Sequence, residues 1–410
     1  MNYNHPQKKN SALATIVVCA LVFFVFSFSW LYLFQADVLT VAQHQLSGGK
    51  THYSPVLGAL IITVVLSIVQ QGVFIVTRLS RRTHALTYFP SMLLLAILSS
   101  VGPTFVENKS MGAWAWAIPV LMVVWIVLVW LSKQLLPFDN DGKEPTGLFS
   151  QRVWINMIMM VMMMLFVGLT SNTNAVYHYR THAEVALTKD NTEEALRVGQ
   201  RSLETDVNLT MLRLYALSTI DAVGDSLFTY TVKGRSSDLL PLKNSHSHLL
   251  MLPESKLWKH FGGRWPLSTM TVERYLDSLA VDTTATRAYY DYRLAGQLMD
   301  GRLDSFAVTL PKAYTMEADS LPRHYREALV LYQDLKGDSA VAFPKKLEEV
   351  SGNKKRQPAV KMEVYRDSVM AERLQQLRSI ERKYSSRKTV QLEVHREFRN
   401  TYWYYYFFIK

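Results

Sequence analysis

The sequence predicts an all-α protein made of two parts, a bundle of about five transmembrane helices followed by a soluble helical domain. Two observations support this prediction. Residues 1–170 contain ten Lys and Arg and five Asp and Glu, whereas residues 171–410 contain 35 and 29, the density of an ordinary soluble domain. Long uninterrupted apolar runs occur only in the first part, and in the second part apolar residues recur at helical spacing. The boundary near residue 170 therefore separates two domains.

Five apolar segments of the first part approach the 17–25 residues that a helix needs to cross the hydrocarbon core. The third is the shortest and contains Pro90. The first is longer than the apolar core of a cleaved signal peptide, so we expect an uncleaved anchor. The predicted spans are residues 11–34, 56–77, 85–101, 113–131 and 153–170.

The basic residues of the short loops predict the orientation, because cytoplasmic loops carry an excess of Lys and Arg. With the amino terminus in the cytoplasm, only Lys50 and Lys109 fall outside. Eight basic residues then lie inside: Lys8, Lys9, Arg78, Arg81, Arg82, Lys133, Lys143 and Arg152. With five spans, residues 171–410 are extracytoplasmic. We therefore expect a protein of the bacterial inner membrane with a periplasmic domain, and an even number of spans would undo this assignment.

The predicted spans contain few polar residues, and Gln70 and Gln71 are the notable ones. We interpret them as interhelical hydrogen-bonding groups or as residues close to a membrane interface. No Asp, Glu, Lys or Arg lies near a predicted midplane, where ion-coupled transporters usually retain ionisable side chains. The sequence therefore argues against a proton- or ion-coupled transporter.

The second part shows apolar residues at i, i+3, i+4 and i+7, with polar or glycine-containing turns between the repeats. The region 233–283 is rich in Ser, Pro, Leu and His, and we interpret it as an irregular insert between two helical groups. Residues 228–232 form the one short strand-like run, and the end of a helix is an equally open interpretation of it. The predicted helices are 175–187, 192–203, 209–222, 284–299, 303–316, 323–335 and 362–398.

Antiparallel helices joined by short turns are the unit of an α-solenoid. Residues 179–207 resemble a tetratricopeptide repeat, with Tyr179 at its first aromatic position and Ala183 and Ala195 at small positions. Gly199 and Val207 depart from the usual aromatic and proline. The resemblance implies a TPR-like soluble domain with a peptide- or protein-binding groove, and Tyr179, Tyr215 and Tyr325 are its tentative groove residues.

Two further segments carry a second resemblance: residues 321–329 (LPRHYREAL) and the aromatic run 402–408 (YWYYYFF). With the domain arrangement, they resemble multi-span membrane proteins of Bacteroidota-type bacteria that have a helical extracytoplasmic domain. This resemblance supports the architecture and implies no activity. For the aromatic run itself, three interpretations remain open: a helix that caps the solenoid, an interfacial foot on the membrane, and a partner-binding patch.

A few residues could carry chemistry. His178 and His182 have the i, i+4 spacing that can place two imidazoles on one metal, with Glu184, His246 or His248 as a third ligand. The usual H-E-x-x-H arrangement is absent, so surface histidines are the simpler interpretation. Asp37, at the outer end of the first span, is a second candidate for a residue with a chemical role. A membrane enzyme of envelope glycan or lipid metabolism would use Asp37, His178 and His182 at the outer face.

The leading functional hypothesis is non-enzymatic: a membrane-anchored scaffold that presents a TPR-like groove to an envelope protein partner. The membrane enzyme is the alternative. The sequence predicts no cofactor, no resident metal and no nucleic-acid partner, since no basic cluster with interleaved aromatics matches a nucleic-acid module. The lipid bilayer is an expected partner, and the oligomeric state is left open. The sole cysteine, Cys19, excludes an intramolecular disulfide.

Overall fold

A computed structural model describes residues 6–102, 112–134, 150–280, 286–346 and 360–410. Two basic residues of the orientation argument, Lys109 and Lys143, lie outside the described residues, as do residues 284 and 285 of a predicted helix. The chain forms two compact units, Met1–Thr181 and His182–Lys410. The predicted boundary at 170/171 lies close to this division, which falls inside a helix.

The first unit is built around four helices long and apolar enough to cross a membrane: Ala14–Phe34, Pro55–Thr77, Trp114–Gln134 and Gln151–Thr170. In chain order the α-helices of this unit are α1 (Pro6–Ser29, continued by a π-helical turn Trp30–Phe34), α2 (Ala36–Ser47), α3 (Pro55–Thr77), α4 (Phe89–Ser99), α5 (Trp114–Gln134) and α6 (Gln151–Thr170). The four long helices confirm four of the five predicted spans.

The predicted third span, residues 85–101, is not a long helix, and the count of five transmembrane helices was wrong. A 3₁₀-helix occupies Arg81–Tyr88, with a non-helical residue at Thr83, and α4 then begins at Phe89 and is only 11 residues long. Pro90 lies in the first turn of α4, where its missing N–H is tolerated, whereas in the middle of a continuous helix it would remove a hydrogen bond. The proline therefore divides the apolar run.

The bundle interior is apolar, and a few neutral polar groups link its segments through hydrogen bonds. Cys19, Phe23, Tyr88, Met92 and Met160 are among the residues of its buried core. The Gln70 amide donates to Thr87 Oγ1 at 2.8 Å, which confirms the predicted interhelical hydrogen bond, whereas Gln71 is exposed.

The second unit is helical, with helix α7 (Ala175–Thr188) at the division between the units. The α-helices that follow are α8 (Thr192–Arg197), α9 (Val207–Thr219), α10 (Val223–Ser226), α11 (Glu254–His260), α12 (Val272–Ala280), α13 (Arg287–Met299), α14 (Leu303–Thr309), α15 (Arg323–Lys336), α16 (Ser368–Lys383), α17 (Arg387–Phe398) and α18 (Tyr402–Tyr404), the last extended by a π-helical turn Tyr405–Ile409. All seven predicted helices have a counterpart, and the predicted irregular insert contains α11 and α12.

Several boundaries differ from the prediction for identifiable reasons. The helix predicted over 192–203 ends at Arg197, because Val198 is extended and Gly199 takes a φ of +60°. The repeat resemblance therefore lacks a full second helix. The helix predicted over 362–398 is divided into α16 and α17, and its first residues belong to β2 (Val360–Val364), which pairs antiparallel with β1 (Ala342–Lys346). The sequence pattern did not predict this strand pair.

Candidate functional site

One wall of a groove in the second unit is the segment between α10 and the insert. Leu227–Thr229 forms a 3₁₀ turn, and Tyr230 then extends the backbone with φ −91° and ψ 158°. Two hydroxyls fix this course: Thr229 Oγ1 donates to Ser226 O at 2.6 Å, and Thr231 Oγ1 donates to Ser202 O at 3.1 Å. The strand-like pattern of residues 228–232 thus corresponds to an extended loop rather than to a paired strand.

The opposite wall is α17 together with the aromatic run of residues 402–408. The buried Glu327 carboxylate of α15 accepts a hydrogen bond from the Tyr402 backbone N–H at 2.7 Å, and the Trp403 indole donates to Glu327 O at 2.8 Å. Tyr405 Oη donates to Met299 O at 3.0 Å. The two segments that carried the Bacteroidota-type resemblance are therefore joined directly, and three of the aromatic side chains (Tyr402, Trp403 and Tyr405) are buried in the interior of the unit.

Phe228 connects the two walls. Its ring centroid lies 5.0 Å from that of Tyr402 and 4.9 Å from that of Tyr405, distances typical of favourable aromatic pairs. Between the walls lies an apolar cavity of about 570 Å³. It is lined by Leu203, Phe228, Thr229, Tyr230, Thr231, Val232, Lys388, Gln391, Leu392, His395, Arg399, Tyr404, Tyr405 and Ile409.

The lining of this apolar cavity contains basic and neutral polar groups and no carboxylate. Lys388 is exposed at its edge and Arg399 is half-buried. His395 stacks edge-on against Tyr404, with 5.3 Å between the ring centroids, and its buried Nε2 has no hydrogen-bond partner among the described residues. The cavity therefore combines an apolar interior with a positively charged edge.

A second cavity, of about 420 Å³ and more polar, adjoins the first and shares Val232, Tyr405 and Ile409 with it. Its other lining residues are Lys233, Gly234, Arg235, Ser236, Ser237, Met299, Asp300 and Lys410. Asp300 is the one carboxylate side chain in this lining. It already accepts hydrogen bonds from Ser236 N and Oγ, at 3.1 and 2.6 Å, and pairs with Arg302 at 2.8 Å. The lining therefore contains three basic side chains and one acidic side chain, and the acidic one already has hydrogen-bond and ion-pair partners.

The structure places the predicted groove residues elsewhere. Tyr325 is 1% exposed and packs between the rings of Phe306 and Tyr314, and Tyr215 is buried against His260. Neither offers surface to a partner, because the apolar spacing that suggested a groove instead marks the core-facing side of α15 and α9. Tyr179 is half-buried in the first unit, and its role stays a prediction.

The predicted histidine pair and its third ligand are each engaged in separate contacts. His178 Nε2 lies 2.8 Å from Asn172 O, and His182 Nε2 lies 3.1 Å from a Glu194 oxygen. Glu184 is fully buried and accepts hydrogen bonds from three consecutive backbone N–H groups, at 2.6–3.2 Å, in residues 250–252. Within the described part of the chain, no group of three or more His, Cys, Asp or Glu could hold a metal ion. Glu184 is thus a structural clamp between α7 and the insert.

The remaining enzyme candidate, Asp37, lies half-buried in the first turn of α2. The same helix contributes Leu39, Ala42 and Gln43 to a cavity of about 930 Å³ inside the first unit. The membrane-enzyme alternative stays a prediction.

A Ser, His and Asp group that the sequence did not indicate is buried between α9, α11 and α13. Ser218 Oγ lies 2.8 Å from His260 Nε2 and donates to Asp291 Oδ2 at 3.1 Å. The serine is in the middle, so the histidine is not held by the carboxylate as it is in a nucleophilic triad. Burial raises the pKa of Asp291 to about 6, against the opposing effect of Arg287, and burial lowers the pKa of His260. This group is a polar core network.

The two adjacent cavities define a class: a helical domain with an amphiphilic groove, in a chain with four helices long and apolar enough to span a membrane. Residues 267–409 match a family of unknown function (DUF6057). The match includes α17 and the aromatic run, whereas the wall formed by residues 228–232 lies outside it. Neither a curated protein nor a solved structure matches the chain significantly.

Sequence reasoning missed this groove because its walls are far apart in the chain. One signal was available: Lys388, Leu392, His395 and Arg399 follow one another at intervals of about one helical turn, which places an apolar residue among basic ones on one helix face.

Proposed function

We propose that this protein is a membrane-anchored binding protein whose helical domain presents the groove of residues 228–232 and 388–409 to a component of the cell envelope. The observation that carries the proposal is the pair of adjoining cavities, because a concave apolar surface with a few polar groups is the usual form of a ligand site. The anchoring role rests on the long apolar helices of the first unit. The TPR-like character of the domain has no further support, so the groove is proposed on its own geometry.

We further propose that the helical domain lies outside the cytoplasm. Segment 81–101 is not a single helix, yet it follows α6 over the whole length of that span. At one end Asn156 donates to Arg81 O at 2.9 Å, and at the other the Asn172 backbone N–H donates to Ser99 O at 2.9 Å. Such a segment can complete a fifth crossing, because a 3₁₀ residue advances about 2.0 Å and an α residue about 1.5 Å. The excess of basic residues in the loops assigned to the cytoplasm favours the same orientation, with the helical domain outside the cytoplasm.

One cysteine position tests both statements in the full chain. In a Cys19→Ser background, Leu392→Cys places a thiol at the groove, where Leu392 is 70% exposed. Leu335→Cys is the matched control, since Leu335 is 45% exposed and lies outside both cavity linings. We expect a membrane-impermeant maleimide to label both positions in intact spheroplasts. A maleimide photo-crosslinker should then give a defined adduct from position 392 and none from position 335.

Labelling that requires lysis would refute the extracytoplasmic placement and leave the groove unaffected. Equal adducts from both positions, or none from either, would refute the binding role of the groove whatever the orientation.

A further inference from the structure

The two cavities are adjacent, because three residues belong to both linings. Val232 contributes from the extended loop, while Tyr405 and Ile409 contribute from the carboxy-terminal π-helical turn. An apolar surface and a more polar one therefore lie side by side on the same face of the unit. The site favours a molecule with two chemically different ends.

The apolar cavity favours a hydrocarbon chain over a peptide backbone. Its volume of about 570 Å³ lies within the range of about 300–1,000 Å³ for ligand pockets. The hydroxyls of Thr229 and Thr231 in its lining already donate to backbone carbonyls of the same unit. A peptide would bury more N–H and C=O groups here than neutral side chains such as Gln391 and His395 can bond, whereas an acyl chain makes no such demand.

The charges favour an anionic group at the other end. Lys233 and Arg235 line the polar cavity, and Lys388 and Arg399 line the apolar one. Asp300, the one acidic side chain in either lining, is neutralised by Arg302 at 2.8 Å. An anion beside the two cavities therefore meets more basic side chains than acidic ones, and Lys and Arg are the usual partners of phosphate oxygens.

We propose that this groove binds an anionic phospholipid, with an acyl chain in the apolar cavity and the phosphate headgroup against Lys233 and Arg235. The inference rests on the proposed function, which it deepens by naming the class of ligand. His395 Nε2, buried at the cavity and without a partner among the described residues, provides a further hydrogen-bonding group for the glycerol ester region. The helical domain then holds a single lipid molecule, apart from the lipids around the membrane bundle.

The test uses the full chain in nanodiscs of phosphatidylcholine and a phosphatidic acid probe with a diazirine on its acyl chain. Photolysis followed by peptide mapping separates groove adducts, in residues 228–232 and 388–409, from adducts in the membrane helices. We expect saturable labelling of the groove that phosphatidic acid competes away and diacylglycerol does not. Each basic residue near an anionic headgroup contributes about fivefold in affinity, so the double variant Lys233→Glu and Arg235→Glu should weaken groove labelling about twentyfold or more.

Lys243→Glu with Arg274→Glu is the matched control, because both residues are exposed and neither lines a cavity. All four substitutions are on the surface, and thermal unfolding followed by tryptophan fluorescence verifies that each variant is folded. Leu392→Glu should reduce groove labelling, while Leu335→Glu should leave it unchanged.

Three results would overturn the lipid assignment. The first is an equal effect of the two double variants on groove labelling, and the second is equal competition by diacylglycerol. The third is saturable binding of an acidic amphipathic peptide to the groove in the absence of saturable lipid labelling. The last would leave the groove as a binding site and change its occupant. A groove without any adduct in the cysteine experiment would instead refute the proposed function itself.

Discussion

The two units use opposite arrangements of polar and apolar side chains. The membrane bundle exposes large apolar residues, such as Val76 at 82% and Leu169 at 84%, and its buried polar groups include the neutral amides Gln70 and Asn156. The helical domain buries its apolar residues and also buries several carboxylates, among them Glu184 and Glu327. Each of these two carboxylates accepts hydrogen bonds from backbone N–H groups of a distant segment.

This difference follows from the solvent of each unit. In lipid, a charged side chain is costly wherever it lies, so neutral hydrogen-bonding groups join the helices. In a domain surrounded by water, a buried carboxylate can be stabilised by several charge-assisted hydrogen bonds at once. The chemistry of the interior contacts therefore reports the surroundings of each unit as clearly as its exposed surface does.

The largest expected effect is on the helical domain. Glu327→Ala removes the acceptor shared by Tyr402 N, His324 Nδ1 and Arg323 Nε, which lie 2.7–2.9 Å from its oxygens. We expect a loss of about 3–5 kcal/mol in the free energy of unfolding, because buried donors remain without a partner. Urea unfolding of the full chain in detergent micelles, followed by tryptophan fluorescence, measures it. Glu193→Ala removes an exposed surface pair and should leave the transition unchanged.

The second prediction concerns pH. The pKa of Asp291 is about 6 in the folded chain and near 3.8 in the unfolded chain, so the folded state binds this proton more tightly. The corresponding stabilisation is complete below pH 4 and is lost as the pH rises through about 6, by at most about 3 kcal/mol. Asp291→Asn should flatten this dependence in urea unfolding between pH 4 and pH 7. A matched change at the exposed Asp319, to Asn, should retain the slope of the parent protein.

The smallest of these effects belongs to the membrane bundle. Asn156 accepts from Ala85 N at 2.6 Å and donates to carbonyls of Arg81, Arg82 and Arg152. Asn156→Ala should cost about 1–2 kcal/mol, because hydrogen bonds between membrane helices are individually weak. Unfolding in mixed micelles gives the value, with the exposed Gln71→Ala as the control. A loss as large as that of Glu327→Ala would contradict the contrast drawn between the two units.

Patterns that depend on neighbouring residues were predictable from the sequence. Helix α7 begins at the predicted residue and α15 matches within one residue, because their apolar spacing and flanking turns are local properties. The four long spans follow from composition alone. Predicting that the third span is divided would have required weighing the local effect of Pro90, because the composition of the run still resembles that of a membrane helix.

The site was not predictable in the same way. The groove depends on contacts between segments some 170 residues apart, and the carboxylate clamps depend on backbone groups that carry no sequence signal. Glu184 and Glu327 did offer a hint, since each interrupts the apolar face of an otherwise regular helix. A charged residue at such a position is rarely buried without a partner, so it indicates that another segment packs there.

The Glu327 clamp also sets an order of events during synthesis. The loop wall of the groove emerges from the ribosome well before α17 and the aromatic run, and domains acquire structure from the amino-terminal side as they are made. Phe228 and the buried Glu327 therefore gain their contacts with Tyr402 and Tyr405 only after these tyrosines have been synthesised. The groove is thus complete only once residues 402–409 have been made, so a chain that stops before Tyr402 would lack part of one wall of the groove.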